Sequence, residues 1–171
     1  MSRDFWNRMP LQIVACTLVL VAFVAFGQSV KRNYLPGIDF SKYHTYAWAT
    51  TKPHPNPDVD AEIRRLIDSQ LATKGLTKTD NQPDLTIDYQ IAMSQDERWS
   101  SFRYNEIETQ TPKLETVHAG TLGIDIEDVA RKRLVWTGRA TKAIDPNATT
   151  QTKQMYLEKA IKKLLQGYPP K

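Results

Sequence analysis

Between Leu85 and Met93, the apolar residues Leu85, Ile87, Tyr89, Ile91 and Met93 alternate with Thr86, Asp88 and Gln90. A period of two sends successive side chains to opposite sides of a pleated strand, so this segment must lay one side on a core. The same period returns in Leu122, Ile124 and Ile126, breaks over the polar stretch Asp128 to Arg133, and resumes at Leu134 and Trp136. That is the pattern of a hairpin. Strands buried on both faces read as unbroken apolar runs, whereas these alternate, so the expected sheet is antiparallel and covered on one side. An earlier stretch, "DFSKYHTYAW", places Phe40, Tyr43, Tyr46 and Trp48 in an imperfect alternation that predicts a first strand over residues 43–49.

Two segments carry the other period. Val59, Ile63, Leu66, Ile67 and Leu71 recur at three-and-four spacing, with Arg64, Arg65, Asp68 and Gln70 on the opposite side. Asn56 before Pro57 reads as an N-cap followed by proline at the first helical position, and Gly75 ends the helix. Near the carboxyl end, Leu157, Ala160, Ile161, Leu164 and Leu165 form a second stripe. Lys153, Glu158, Lys159, Lys162 and Lys163 form its wet side, and Gly167 and Pro169 stop it. A helix with a single stripe buries only that stripe. The fold class expected is therefore α+β, an antiparallel sheet with two amphipathic helices packed on one face.

The amino terminus gives an address. Arg3 and Arg8 precede a run from Leu11 to Phe26 interrupted only by Gln12 and Thr17, which meets small residues at Ala25 and Gly27. This is the n-region, h-region and cleavage site of a secretory signal, with cleavage expected between Gly27 and Gln28. The run is shorter than the ~20 apolar residues that span a bilayer core, which favours cleavage over retention as an anchor. Residues 1–27 are thus read as a signal peptide and 28–171 as one domain. Ile13-Val14-Ala15-Cys16 matches a lipobox locally, but a lipobox cysteine follows its hydrophobic core, and here the apolar stretch follows Cys16. Attachment to a membrane is left to an uncleaved leader or to a lipidated Cys16.

Chemistry is harder to find. Cys16 is the sole cysteine, so no intramolecular disulfide and no cysteine-rich metal site can form. His44, His54 and His118 have no partner at metal-ligating spacing, and no phosphate loop, dinucleotide fingerprint or nucleophile elbow occurs. Gly120 and Gly123 fall within a strand pattern, where they admit close packing or a bulge. No cofactor, metal or catalytic residue is expected. The net charge of +4 comes from 23 basic residues interleaved with 19 acidic ones, which argues against nucleic acid as the partner. Asp125, Glu127 and Asp128 are the best acidic cluster and read as turn punctuation, with Asp125 facing solvent. A hydrolase built on those carboxylates is the third-ranked reading.

From Ser94 to Val117 the periodicity fades. Phe102 and Tyr104 share a parity that suits a peripheral strand, and Trp99, Phe102 and Tyr104 stand among polar residues where a core explains them least. They are the candidate ligand or partner surface. Tyr43, Tyr46, Trp48, Tyr89 and Trp136, by contrast, fit core packing.

Four stretches, "DFSKYHTYAW", "QPDLTIDYQI", "GTLGIDIEDVARKRLVWTGRA" and "AIKKLLQGYPP", resemble the bacterial domain-of-unknown-function family 4136. The hairpin stretch is the most specific of them. The resemblance implies an exported single-domain α+β envelope protein, often a lipoprotein, with no reaction or ligand attached. The chain departs from lipoprotein members in the position of Cys16. The expected function is a non-enzymatic binding or structural module of a bacterial envelope, periplasmic or surface-associated, whose partner is an unknown envelope protein or small ligand. The alternative is a carrier or sensor of a small apolar or lipid-like molecule, with the region around Trp99 to Tyr104 gating a cavity between sheet and helices.

Overall fold

A computed structural model describes residues 28–49, 54–99 and 114–170. The chain runs β1 (Ser29–Tyr34), β2 (Thr45–Trp48), α1 (Pro57–Ala72), β3 (Thr77–Lys78), β4 (Leu85–Trp99), β5 (Leu114–Asp128), β6 (Arg133–Ile144) and α2 (Thr150–Leu165). The strands form one six-stranded sheet in the order β1-β6-β5-β4-β2-β3. Gly27, Phe102, Tyr104 and the rest of the expected leader and peripheral strand lie outside the described residues.

Both helices begin as the residues dictate. The Asn56 side chain accepts from the amides of Asp58 and Val59 at 3.0 and 3.3 Å, and the Thr149 side chain accepts from the amide of Thr152 at 3.2 Å. Gly75, at φ +82°, supplies the left-handed turn after α1. Ile63, Ile67 and Leu71 of α1, and Ala160, Ile161, Leu164 and Leu165 of α2, are buried. They face Leu85, Ile87, Leu122, Ile124, Ile126, Trp136 and Ala140 of the sheet. The α+β class and the two helices are as expected.

The sheet is mixed, which corrects the antiparallel expectation. β4–β5, β5–β6 and β1–β6 are antiparallel, but β2 runs parallel to both β3 and β4. Between β2 and β4 the chain crosses through α1, and a helix that carries the chain back to the end where β2 began makes the next strand parallel. Alternation reports which side of a strand is buried and is blind to its neighbour's direction.

Two further differences have local causes. β1 was not expected, because "SVKRNY" carries one apolar side chain, Val30, that packs on the core. It is held instead as an edge on β6, and Arg32 reaches over to donate from Nε to the Leu164 carbonyl at 2.9 Å and from its terminal nitrogen to that of Lys163. Those carbonyls belong to the last turn of α2, where the Leu164 carbonyl also accepts from the Gly167 amide at 3.3 Å. In the hairpin, a bulge between Ile126 and Glu127 shifts the register. It lets the consecutive residues Val135 and Trp136 both be buried, which strict alternation forbids.

Candidate functional site

The two ends of the sheet differ. At the end bearing the β5–β6 turn, an aromatic chain closes the core: Trp136 meets Tyr168 edge-on at 5.7 Å, Tyr168 meets Phe40 at 5.7 Å, and Phe40 meets Tyr43 at 5.9 Å. The Tyr43 hydroxyl donates to Asp128 Oδ2 at 2.7 Å, and Asp128 also accepts from the Arg131 amide at 2.8 Å and its guanidinium at 2.5 Å. Asp128 is 2% exposed. Burial pushes its carboxyl up, but the Tyr43 hydroxyl and the two Arg131 donors outweigh that and hold it below its ordinary value. Burial and the same hydrogen bond push Tyr43 up to about 12. Asp128 therefore ties the turn to the aromatic chain as well as punctuating it.

Carboxylates also dock α1 on the sheet. Asp68 accepts from the Tyr46 hydroxyl at 2.8 Å and from Trp48 Nε1 at 3.0 Å. Asp60 accepts from the Tyr89 hydroxyl, from Arg64 Nε at 2.8 Å and from the His54 amide at 3.2 Å, and the Tyr89 bond leads in holding its carboxyl low. Arg64 stacks 4.6 Å over the Trp48 ring. Arg64 and Asp68 thus flank the buried stripe and grip β2 and β4, where the sequence pattern set them on the solvent side. Asp84 ties the start of β2 to β4 by accepting from the His44 and Thr45 amides, both at 2.9 Å, and these amide bonds hold its carboxyl low.

The hairpin carboxylates are not brought together. Asp125 lies on the uncovered side of the sheet, paired with Arg139 at 2.8 Å and Thr137 at 2.5 Å, whereas Asp128 points to the covered end. Asp125 faces away from the helices, as expected, but Arg139 lies over it. The histidines are also dispersed: the His54 ring accepts from the Asn56 amide at 3.1 Å, and the His118 ring meets Gln95 at 3.1 Å. Among the described residues no group of three His, Cys, Asp or Glu side chains is placed to hold a metal, and no helix is long and apolar enough to cross a membrane.

Among the described residues, the helices do not reach the opposite end of the sheet. A sixteen-residue helix reaches about 24 Å; the fifteen-residue strands β4 and β5 reach about 50 Å. The helix layer therefore stops short. Along β4, Leu85 and Ile87 are buried, Tyr89 is half-buried, Ile91 is 38% exposed and Met93 69%. The floor beyond the helices consists of two cross-strand rows, Ile91–Leu122–Ala140 and Met93–Gly120–Lys142. With Val59 of α1 and Tyr156, Leu157 and Ala160 of α2, these rows line a cleft of about 400 Å³. Gln28, His54, Asp145 and Lys153 stand at its polar margin. Lys142 Nζ sits 3.4 Å from the Tyr156 ring centroid, and Lys153 Nζ donates to the Pro146 carbonyl at 3.0 Å.

Of the sequence-derived candidates, Gln28 lines this cleft, and the Trp99 backbone ends β4 opposite Leu114. Six residues separate Trp99 from Met93, about 20 Å of strand, so the Trp99 backbone lies beyond the cleft floor. Phe102 and Tyr104 fall outside the described residues. Lys142, Tyr156 and Gly120 were missed as site residues. The signal that points to them is a mismatch of lengths, since the apolar alternation of β4 continues to Met93 beyond the reach of a helix stripe.

The fold is similar to that of several solved structures. A PDZ domain protein from Parabacteroides distasonis superposes at a TM-score of 0.61 with 20% identity over 83% of this chain, which spans 35% of that protein's length. A PelC dodecamer from Paraburkholderia phytofirmans superposes at a TM-score of 0.51 with 10% identity, covering 81% of this chain and 95% of that one. No curated protein matches the chain. Residues 30–170 match the family model described as a domain of unknown function (DUF4136), and over that span, almost the whole domain that follows the expected leader, the chain belongs to this family.

Proposed function

We propose that this chain is an exported, non-enzymatic binding module of the bacterial envelope that receives an apolar or lipid-like molecule in the cleft beyond its helix layer. The observation that carries the reading is the cleft: about 400 Å³, floored by Ile91, Met93, Leu122 and Ala140 and walled by Leu157 and Tyr156. Its size lies in the range of small-molecule sites, and its apolar lining with few polar groups is their usual composition. The secretory pattern of residues 1–27 supports the location. Intact-mass measurement of the envelope fraction tests it: a mature chain starting at Gln28 is expected, and an unprocessed cytosolic chain would remove the location from the proposal.

Gly120 allows the cleft itself to be tested. A Cβ at this position meets Ile144 Cδ1 at 3.5 Å and Met93 Sδ at 3.6 Å, ordinary contacts, so Gly120→Val fits while its methyls rise into the cleft. Valine also suits a strand better than glycine, so the melting temperature is expected to hold or rise. Binding of an uncharged fluorescent naphthylamine is expected to weaken about tenfold or more, the equivalent of two buried methylenes or so. Equal binding by the native chain and a folded Gly120→Val chain would place the apolar site elsewhere.

A further inference from the structure

The cleft has a chemical asymmetry that its apolar floor does not require. Lys142 projects from the β6 end of the row Met93–Gly120–Lys142, and Lys153 stands in the first turns of α2 on the facing wall. Among the described residues neither ammonium has a carboxylate within ion-pair distance. Every described arginine of the hairpin and of α1 that approaches a carboxylate is paired with it, as Arg64 with Asp60 and Arg139 with Asp125. The acid at the margin, Asp145, accepts the Asn147 amide at 2.9 Å, and His54 is engaged with Asn56. The apolar floor therefore ends at two lysines held by a ring face and a carbonyl, both contacts that leave N–H donors to spare, since an ammonium carries three.

Resting on the apolar reading of the same cleft, we propose that its ligand is a single-chain anionic amphiphile. The chain lies along Ile91, Met93 and Leu122, and the anionic head sits between Lys142 and Lys153. The charge arrangement selects the head, and the floor selects the tail. A cationic head would meet two ammonium groups at close range, and a neutral one would forgo both charge-assisted bonds.

Isothermal titration of the full chain with dodecyl phosphate, dodecanol and dodecyltrimethylammonium, all below their micellar concentrations, tests this. Dodecyl phosphate is expected to bind at least about tenfold tighter than dodecanol, since a hydrogen bond to a charged group contributes more than a neutral one. The cationic probe is expected to bind weakest. In a Lys142→Gln/Lys153→Gln chain the phosphate preference should vanish while dodecanol binding stays within about twofold. Equal binding of dodecyl phosphate and dodecanol by the native chain overturns the anionic head and leaves the apolar cleft standing. So does a preference that survives the double substitution. Failure of all three probes, or binding indifferent to Gly120→Val, overturns the cleft reading with it. Inorganic phosphate binding as tightly as dodecyl phosphate would show that the lysines act without the floor, and would overturn the amphiphile.

Discussion

Replacing Trp136 by alanine is expected to lower the free energy of unfolding by about 3–5 kcal/mol, the usual cost of truncating a buried aromatic. Trp136 is the largest side chain in the core and lies 1% exposed under α2. Its ring is fitted to a glycine: a Cβ at Gly138 would fall 2.6 Å from Trp136 Cη2 and 2.9 Å from Leu164 Cδ2. Gly138→Ala alone should therefore cost about 1–3 kcal/mol by overpacking. The two changes should not add. Once the indole is gone, the new methyl enters the vacated space, so the double variant is expected to be no less stable than Trp136→Ala. Urea unfolding of the four chains of this cycle measures the coupling, and simple additivity would show that Trp136 does not rest on Gly138. Trp136 Nε1 has no acceptor among the described residues, so Trp136→Phe loses volume without losing a hydrogen bond.

Asp128→Ala is expected to cost about 2–3 kcal/mol, because it leaves the Tyr43 hydroxyl and the Arg131 amide without their acceptor. The same carboxylate shapes the acid limb of stability. Its folded pKa is depressed, as are those of Asp60 and Asp84. A depressed group contributes stability that is present above its unfolded value, about 3.9, and is lost as pH falls through the folded value. Stability should thus decline below about pH 4, and Asp128→Ala should flatten that decline as well as lower the neutral plateau. Chemical denaturation at a series of pH values measures both. A parallel curve, lowered but equally steep, would show that Asp128 contributes packing and not charge.

The elements legible in the sequence were those whose period matched their burial. Ile63, Ile67 and Leu71 lie on the stripe that predicted α1, and Leu85, Ile87, Ile124 and Ile126 lie on the face that predicted the sheet. What escaped depends on neighbours. β1 is an edge strand held by β6 and by Arg32, with an exposed, mostly polar sequence that carries no strand period. The parallel pairing of β2 follows from the crossover through α1. Arg64 and Asp68 have the residue types of a solvated flank, and only the presence of Trp48 and Tyr46 beneath them makes them docking groups. The cleft was legible only as an expected cavity between sheet and helices. Its location required knowing how far β4 runs beyond α1 and α2.

The pairing of β1 with β6 sets an order of events for the growing chain. Val30 finds its partner at Ala140, more than a hundred residues later, and Arg32 finds the carbonyls it caps at Lys163 and Leu164. Contacts so distant in sequence close late, after the β5–β6 hairpin, whose strands are joined over residues 129–132. The strand next to the expected leader thus waits for β6, far along the chain. Until β6 has been synthesised, the amino-terminal segment has no strand to pair with, which leaves it open to whatever machinery handles that end first.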